Sequence, residues 1–245
     1  KKKIKKGVPQ GSILDPLIYI LYTNDLPDFV KTSLIQFADD TSAIISDSDS
    51  KNSEQKLFDC LGQLQHWFTS NNLTLNVNKT QVLKFSQTKL TSDLKLQNNS
   101  TIINVVNKIS FLGLCIDSRL DWTFHIERLS QSLSRYPFAL KKLKKLVNTN
   151  AAKTAYHAYV ESRLRYAIIF WGNASDSERL FIIQKRCVRS IFGLNFRDHC
   201  KDTFRDKEIL TFYSLYILEA ILFVRKNFDL FEINTRNHAV NTRHI

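Results

Sequence analysis

Two adjacent carboxylates, Asp39 and Asp40, are the residues of this chain best suited to chemistry. They are flanked by two apolar arms of strand-forming residues, 34–37 and 41–45, and this pattern predicts a β-hairpin with residues 38–40 in its tight turn. Two unit negative charges about 5 Å apart repel each other by roughly 3 kcal/mol at an effective dielectric of about 20. Two interpretations therefore remain open: a fully solvated acidic turn, which is common, or a turn that binds a cation with help from other ligands.

A glycine- and proline-containing loop, residues 7–12, precedes a predicted helix. Asp15 is expected to cap this helix and Pro16 to occupy its first position, and the helix is expected to run to about Asn24. A loop entering a helix N-terminus suits a phosphate or a template backbone, although taken alone the stretch is more simply explained as an ordinary loop-to-helix junction.

The residues after the hairpin predict a second helix and further strands. Apolar residues recur at helical spacing over 57–68, and Asn71-Asn72 predicts a left-handed helix end. Lys79 lies in a predicted turn before a strand at 81–85, where it faces either a phosphate or simply solvent. Residues 88–99 predict a polar connection, and residues 102–106 and 109–117 predict a second hairpin. Gly113, inside this strand pattern, suggests the close approach of another backbone or ordinary core packing.

Composition favours a polyanionic partner. The 245 residues carry 35 Lys and Arg against 23 Asp and Glu, a net charge of +12, which points to nucleic acid before a membrane surface, with general solubility as the simpler alternative. The four scattered cysteines predict free thiols in a reducing compartment. No apolar run approaches the roughly 18–20 residues of a membrane span. Because the chain contains 0 Met, we expect a fragment of a longer protein.

From Trp122 onward the pattern predicts helices, at residues 122–147, 151–169, 176–192 and 207–228. Their apolar stripes alternate with basic residues, which suit the backbone of a nucleic-acid duplex, although a solvated face is the plainer explanation. The basic residues are Lys141, Lys142, Lys144, Lys145, Arg163, Arg165, Lys185, Arg186 and Arg189.

Four short motifs occur in the order and rough spacing of reverse transcriptases. They are Gly7-Val8-Pro9-Gln10-Gly11-Ser12, Phe37-Ala38-Asp39-Asp40, Asn78-Lys79-Thr80 and Phe111-Leu112-Gly113. The chain most closely resembles the enzymes of non-LTR retrotransposons of the insect jockey type, and the likeness continues through Leu120-Asp121-Trp122, Tyr166 to Gly172 and Gln184 to Arg189. The resemblance implies an α+β fold. Residues 1–117 would form part of a right-hand polymerase palm, an antiparallel sheet with packed helices. An all-α thumb and C-terminal region would follow at 118–232, and a frayed tail at 233–245.

The resemblance also implies an RNA-directed DNA polymerase that acts with an RNA template, a DNA primer and deoxynucleotide triphosphates. Asp39 and Asp40 would be catalytic ligands of two Mg²⁺ ions, with Mn²⁺ as an alternative, which activate the primer 3′-hydroxyl and stabilise the leaving pyrophosphate. The roles implied for the remaining residues are nucleotide and template binding by Gln10, Gly11, Ser12 and Lys79, the primer grip by Phe111, Leu112 and Gly113, and nucleic-acid backbone contacts by Lys141, Lys142, Lys144, Lys145, Arg186 and Arg189.

The chain departs from the family pattern at three points. Asp15 replaces a usual glycine and adds negative charge beside the nucleotide path, and Phe37 replaces a common tyrosine. The family's remaining metal-binding aspartate is expected on a strand before residue 1. We therefore expect the isolated chain to be inactive without the upstream half of the same polyprotein, and we expect an intracellular, nuclear location away from membranes.

Three other functions remain to be distinguished. The chain is a catalytically dead nucleic-acid-binding relic if the carboxylates no longer work. A cyclase of the palm type would share the acidic hairpin, but it would need neither the glutamine–glycine loop nor the long basic helical region. An intron-encoded maturase shares the chemistry, but the match after Trp122 favours the retrotransposon branch.

Overall fold

The computed structural model describes residues 13–85, 95–98 and 101–231, which form an α+β fold of two compact units. The first unit comprises the described residues up to Val82 together with 95–98 and 101–105, and the second comprises 83–85 and 106–231. The α+β class predicted from the sequence is confirmed, whereas the assignment of 1–117 and 118–232 to palm and thumb stays a prediction. The tail at 233–245 lies outside the described residues.

The first unit combines helices with two small β-sheets. Its elements are α1 (Asp15–Tyr22), α2 (Leu26–Phe29), β1 (Ser33–Phe37), β2 (Asp40–Ile44), α3 (Ser50–Ser70), a 3₁₀ turn (Val77–Lys79), β3 (Gln81–Leu83), β4 (Lys95–Asn98) and β5 (Thr101–Val106). Strands β1 and β2 form one sheet, and the other has the order β3-β5-β4. Strand β4 lies within the predicted polar connection and was missed, because its residues Lys-Leu-Gln-Asn carry little strand signal.

Helix α3 supplies the core of this unit. Cys60, Leu64 and Trp67 follow each other at helical spacing and are buried against Leu26 and Val30. The Trp67 indole N–H donates to the Asp25 carboxylate at 3.4 Å, so the buried ring keeps a polar partner. This core confirms the apolar stripe predicted at 57–68.

The ends of the helices follow their local chemistry with one correction. Asp49 accepts the Lys51 N–H and caps α3, and Asn72 has the left-handed φ of 54° that the Asn-Asn pair predicted. Asp15 does not cap α1: Leu14 occupies the cap position, and Asp15 is the first helical residue. A carboxylate in the first turn still stabilises the helix, since it lies at the positive end of the helix dipole.

The β1–β2 hairpin has a shorter turn than its sequence predicted. Phe37 pairs with Asp40, so only Ala38 and Asp39 form the turn and Asp40 already belongs to β2. Ala38 has a φ of 50°, a left-handed conformation that two-residue hairpin turns demand and that normally favours glycine. Ala38 therefore carries backbone strain at the turn that presents the two carboxylates.

The second unit consists of one hairpin followed by helices. Its elements are β6 (Lys108–Phe111), β7 (Leu114–Asp117), α4 (Thr123–Leu133), α5 (Tyr136–Leu146), α6 (Thr149–Tyr156), a π-helical turn (His157–Glu161), α7 (Ser162–Arg165), α8 (Ile168–Trp171), a 3₁₀ turn (Ser175–Ser177), α9 (Glu178–Phe192), α10 (Lys201–Asp206), α11 (Phe212–Lys226) and a 3₁₀ turn (Phe228–Leu230). The helical pattern predicted after Trp122 is confirmed. None of the described helices is both long and apolar enough to cross a membrane.

The predicted pairing of residues 102–106 with 109–117 is wrong. Strand β5 pairs with β4, and residues 108–117 fold back on themselves as β6 and β7. Leu112 and Gly113 form the turn with φ values of 46° and 85°. A left-handed pair of this kind ends a strand, so the glycine serves the turn and not a packed strand interior.

Buried polar side chains organise the helical unit. The Gln184 amide donates to the Tyr156 hydroxyl and to the Leu210 carbonyl and accepts the Phe212 N–H, at 2.7–2.9 Å, so that it ties α6 and α9 to the start of α11. The Asp117 carboxylate accepts the backbone N–H groups of residues 119, 121 and 122 and holds the loop before α4. Because unsatisfied buried polar groups are costly, these bonds specify how the helices meet.

Buried His125 is part of the same framework. Its Nδ1 accepts the Cys115 N–H at 3.3 Å, and its ring packs on Trp171 with centroids 5.2 Å apart. Burial, together with the charge of Arg128, lowers the pKa of His125 below its usual value and keeps the imidazole neutral. His125 therefore acts in packing.

We predict that Gly172→Ala destabilises the second unit. A Cβ at this position would lie 2.6 Å from Tyr216 Cδ2 and 2.7 Å from the Ile168 carbonyl oxygen, an overlap that should cost about 1–3 kcal/mol of unfolding free energy. Gly62→Ala is the control, because a Cβ there meets nothing within 4 Å and alanine favours the helix by about 0.5–1 kcal/mol. Urea unfolding measures both, and equal shifts in the same direction would contradict the prediction.

We also predict that Ala38→Val weakens the β1–β2 hairpin by about 1–2 kcal/mol, since a β-branched residue is strained at a left-handed φ. Ala38→Gly should preserve or strengthen the hairpin, and Ala43→Val, in the extended backbone of β2, is the matched control. Amide hydrogen exchange over β1 and β2 measures the local opening. Equal exchange rates in the two valine variants would rule out strain at Ala38.

Candidate active site

The register of β1 and β2 places Asp40 on the solvent side of the hairpin. Residues that face each other across an antiparallel pair share one face, and here Phe37 and Asp40 share a face with Ile35, which pairs with Ser42. Phe37 is 60% exposed and Asp40 is exposed, whereas Leu34, on the opposite face, packs against the core of the first unit. The hairpin thus presents a carboxylate beside an exposed aromatic ring.

Asp39 lies in the turn itself, exposed and next to Asp40. Partial burial raises the pKa of Tyr19, on α1, and the negative charge of Asp39 raises it further. The structure therefore brings α1 near the acidic turn. Tyr19 could not be predicted from the sequence, because its position on a helical stripe does not indicate which side of the helix faces the hairpin.

Asp15 lies one helical turn before Tyr19, on the same side of α1. The resemblance described above leads us to expect a glycine at this position. Asp15 does not complete a metal site, since no group of three or more His, Cys, Asp or Glu side chains in the described ranges is arranged to hold a metal ion.

Asp39 and Asp40 supply the type of ligand atom that a divalent cation binds, but fewer ligands than such a cation needs. Carboxylate oxygens are the ligands that Mg²⁺ and Mn²⁺ accept, but octahedral Mg²⁺ needs six oxygen ligands, and a two-ion site shares several carboxylates. Both side chains are exposed, and neither forms an ion pair with a described cation. The pair can therefore contribute to such a site together with further oxygen ligands, which water, substrate or residues outside the described ranges would supply.

The cysteines offer no alternative metal centre in the part of the chain that the structure describes. Cys60, Cys187 and Cys200 are buried, and all four thiols are free. Burial raises the pKa of Cys187 to about 12 and also raises the pKa of Cys200. Thiols that resist ionisation are poor metal ligands and poor nucleophiles.

The other predicted nucleotide-binding residues fall in different places. Gln10, Gly11 and Ser12 lie outside the described residues. Lys79 ends the 3₁₀ turn, where Asn76 accepts its backbone N–H and fixes the turn. The Lys79 side chain is exposed and forms no ion pair with a described carboxylate, so its ammonium group is available to a ligand.

Phe111, Leu112 and Gly113, the predicted primer grip, form the tip of the β6–β7 hairpin in the second unit. The Tyr166 hydroxyl donates to the Leu112 carbonyl, and the Tyr166 ring lies 3.6 Å from where a Cβ on Gly113 would be. Tyr166 therefore supports the turn from the helical side. Its own role was not predicted, although it begins one of the stretches that resemble the family.

The basic residues predicted to contact nucleic acid divide into two groups. Lys141, Lys142 and Lys145 are exposed on α5, and Arg186 is exposed on α9; none of them pairs with a carboxylate in the described residues. These four cations remain available for an anionic ligand.

The remaining two, Lys144 and Arg189, act within the fold. Arg189 donates through Nε and Nη2 to the Asp198 carbonyl at 3.1 and 2.9 Å. The Lys144 ammonium lies 2.9 Å from where a Cβ on Gly193 would be, at the C-terminal end of α9, which carries partial negative charge. Their predicted backbone contacts stay a prediction, and the structure gives each of them a packing role.

Known proteins are similar to this chain over the residues that build this geometry. Residues 1–116, which include the acidic hairpin, Lys79 and the β6–β7 turn, match the family model described as reverse transcriptase (RNA-dependent DNA polymerase). The chain is 26% identical over 221 residues to a probable RNA-directed DNA polymerase from transposon X-element of Drosophila melanogaster, covering 86% of this chain and 24% of that protein. It is 23% identical over 222 residues to the RNA-directed DNA polymerase from mobile element jockey of the same species, covering 85% and 24%.

The chain thus spans about a quarter of the length of these curated relatives. No solved structure matches it. Since the family model ends at residue 116 while the relatives align with more than four fifths of the chain, the similarity extends well into the helical unit. Residues 1–116 of this chain are therefore similar to reverse transcriptases (RNA-dependent DNA polymerases), and more than four fifths of the chain is similar to the polymerases of the mobile elements X-element and jockey.

Proposed function

We propose that this chain is part of an RNA-directed DNA polymerase of a mobile element and that Asp39 and Asp40 carry its metal ligands. The observation that carries the proposal is an exposed pair of carboxylates, on a strained two-residue turn, within the residues that match the reverse transcriptase model. Adjacent like charges at a turn repel each other, and a bound divalent cation offsets this repulsion because it attracts both carboxylates. An RNA template, a DNA primer and deoxynucleotide triphosphates are the corresponding substrates.

Each described residue takes a role that its surroundings permit. Asp39, in the turn, and Asp40, at the start of β2, would hold divalent cations, which supply activation of the primer 3′-hydroxyl and stabilisation of the leaving pyrophosphate. Phe37 offers an exposed ring beside Asp40 for the primer terminus, and Lys79 offers an ammonium group without a described ion-pair partner for a triphosphate. Gln10, Gly11 and Ser12 keep their proposed nucleotide contacts on the strength of the motif alone.

The same proposal assigns residues 1–117, including the β6–β7 turn, to the polymerase palm and residues 118–232 to the thumb and C-terminal region. The β6–β7 turn, supported by Tyr166, would position the primer end. Lys141, Lys142, Lys145 and Arg186 would contact the backbone of the template–primer duplex. A nuclear location suits a polymerase of mobile elements, and the four free thiols accord with a reducing compartment.

We predict that catalysis requires a carboxylate that the described residues do not supply. The isolated chain should show no magnesium-dependent primer extension, since Asp39 and Asp40 alone give an incomplete set of ligands. A chimaera in which the N-terminal part of the jockey polymerase precedes residue 1 should extend a primer. In that chimaera Asp39→Asn should lower incorporation by about a hundred-fold or more, because the ions supply several kcal/mol of transition-state stabilisation.

Asp28→Asn, which neutralises another exposed carboxylate of the first unit, is the matched control and should leave incorporation unchanged. Extension by the isolated chain, or equal activity of the Asp39 and Asp28 variants, would refute the assignment. A chimaera that binds nucleic acid but never incorporates nucleotides would instead support the inactive, binding-only relic.

We predict that the α5 lysines contribute to duplex binding. Replacement of Lys141, Lys142 and Lys145 by alanine should weaken binding of an RNA–DNA duplex, and it should reduce the slope of log K against log salt by about 2–3, close to one unit for each phosphate that is no longer neutralised. Fluorescence anisotropy across a salt series measures both. Replacing Lys201, Arg225 and Lys226, which are exposed on α10 and α11, removes the same charge; an identical effect would mean that only net charge matters.

A further inference from the structure

The second unit contains an aromatic and arginine cluster that the proposed polymerase site does not use. Tyr136, at the start of α5, and Tyr159, in the π-helical turn, stack with ring centroids 6.1 Å apart and planes 14° from parallel. The guanidinium carbons of Arg135 and Arg163 each lie 5.4 Å from the centre of the Tyr136 ring. These four residues define what we call the tyrosine–arginine cluster.

The two arginines keep most of their donors free. Arg163 uses Nη1 to donate to the Ser132 hydroxyl at 3.0 Å, and neither arginine forms an ion pair with a described carboxylate. The acidic residue of the π-helical turn, Glu161, is already paired with His157 at 2.8 Å. A guanidinium group has five N–H donors in a planar fork, so the cluster presents unsatisfied donors suited to a phosphate or carboxylate.

Tyr159 is more exposed than a packing role requires. It is 56% exposed, whereas Tyr136 is partly buried and already packs against the hydrophobic core of the second unit. The ring of Tyr159 is therefore open to a further aromatic group, on a stack that its neighbour holds in place. It lies on a π-helical turn, a rare backbone form that frequently marks functional sites.

We infer that the tyrosine–arginine cluster binds single-stranded nucleic acid, with one unpaired base stacked on Tyr159 and adjacent phosphates held by Arg135 and Arg163. Stacking on tyrosine needs a base that is not already stacked in a duplex, which separates this site from the lysines of α5. Arginine suits it because a planar guanidinium binds phosphate oxygens in pairs. The inference goes beyond the proposed polymerase function and does not depend on Asp39 or Asp40.

Fluorescence anisotropy with the full 245-residue chain tests the site, using fluorescein-labelled 15-nucleotide oligothymidylate, oligouridylate and a DNA duplex of the same length. Tyr159→Ala should weaken binding of the single strands about five-fold or more, as expected for the loss of one stacked base at about 1 kcal/mol or more. Binding of the duplex should not change. Tyr159→Phe should retain single-strand affinity, since the ring and not the hydroxyl does the stacking.

Phe170→Ala is the matched control, because Phe170 is an aromatic of similar exposure, at 60%, elsewhere in the same unit. Arg135→Gln should reduce the salt slope of single-strand binding by about 0.7, the value of one phosphate contact. Equal effects of the Tyr159 and Phe170 variants on the single strands, or an equal loss of duplex binding in Tyr159→Ala, would overturn the inference. The inference would also be overturned if polyglutamate competed as effectively as oligothymidylate of equal charge, because that result would indicate an acidic polypeptide ligand.

A second measurement requires no substitution. Ultraviolet crosslinking of the unmodified chain to a single strand that carries 5-iodouridine, followed by mass spectrometry, should identify the peptide containing residue 159. Crosslinks that lie only elsewhere would exclude the cluster. The triple lysine variant is measured with a duplex and the Tyr159 variant with single strands. Each measurement therefore tests its own proposal, and a negative result for one does not affect the other.

Discussion

The two-residue turn of the β1–β2 hairpin is the constraint on which the candidate active site depends. Pairing of Phe37 with Asp40 leaves only Ala38 and Asp39 to reverse the chain, and Ala38 adopts a left-handed backbone to do so. The short turn sends Asp40 and Phe37 to the exposed face while Asp39 stands at the tip. The turn therefore leaves both carboxylates exposed at the same end of the hairpin.

Patterns of local chemistry were sufficient to predict much of the fold. The acidic hairpin, the buried stripe of α3, the left-handed Asn72 and the helices after Trp122 all follow from periodicity and turn residues. Prediction failed where a residue has two local uses. Gly113 suits either a strand interior or a turn, and only the pairing of β6 with β7 decides between them. Asp15 suits a cap or a first turn, and the helix begins one residue earlier than a cap at Asp15 would place it.

The sequence was sufficient to predict the two carboxylates of the candidate site, but not the residues that surround them. Asp39 and Asp40 are recognisable as neighbours in sequence, whereas Tyr19 lies on another element and is linked to the turn by the effect of the Asp39 charge on its pKa, which no spacing rule predicts. In the helical unit the resemblance marked Gln184, Trp171 and Gly172 without saying what they do. The structure explains them by packing: a hydrogen-bonded buried amide, a buried indole, and a close helix contact that admits no side chain.

Net charge alone gave an ambiguous signal, because +12 describes equally a soluble protein and one that binds a polyanion. The structure sorts the cations by whether their donors are already used. Arg165 pairs with Glu219, Lys153 donates to the Lys207 carbonyl, and Arg189 holds the Asp198 carbonyl.

Two groups of cations without a described ion-pair partner, the lysines of α5 and the arginines of the tyrosine–arginine cluster, differ in their chemistry. Lysines along α5 offer point charges, which suit a phosphate backbone and carry no base specificity. Arginines beside stacked tyrosines offer directional donors next to an exposed ring. If the proposed polymerase function holds, both paired and unpaired strands have to be bound, and the two groups of cations would offer a different kind of contact to each.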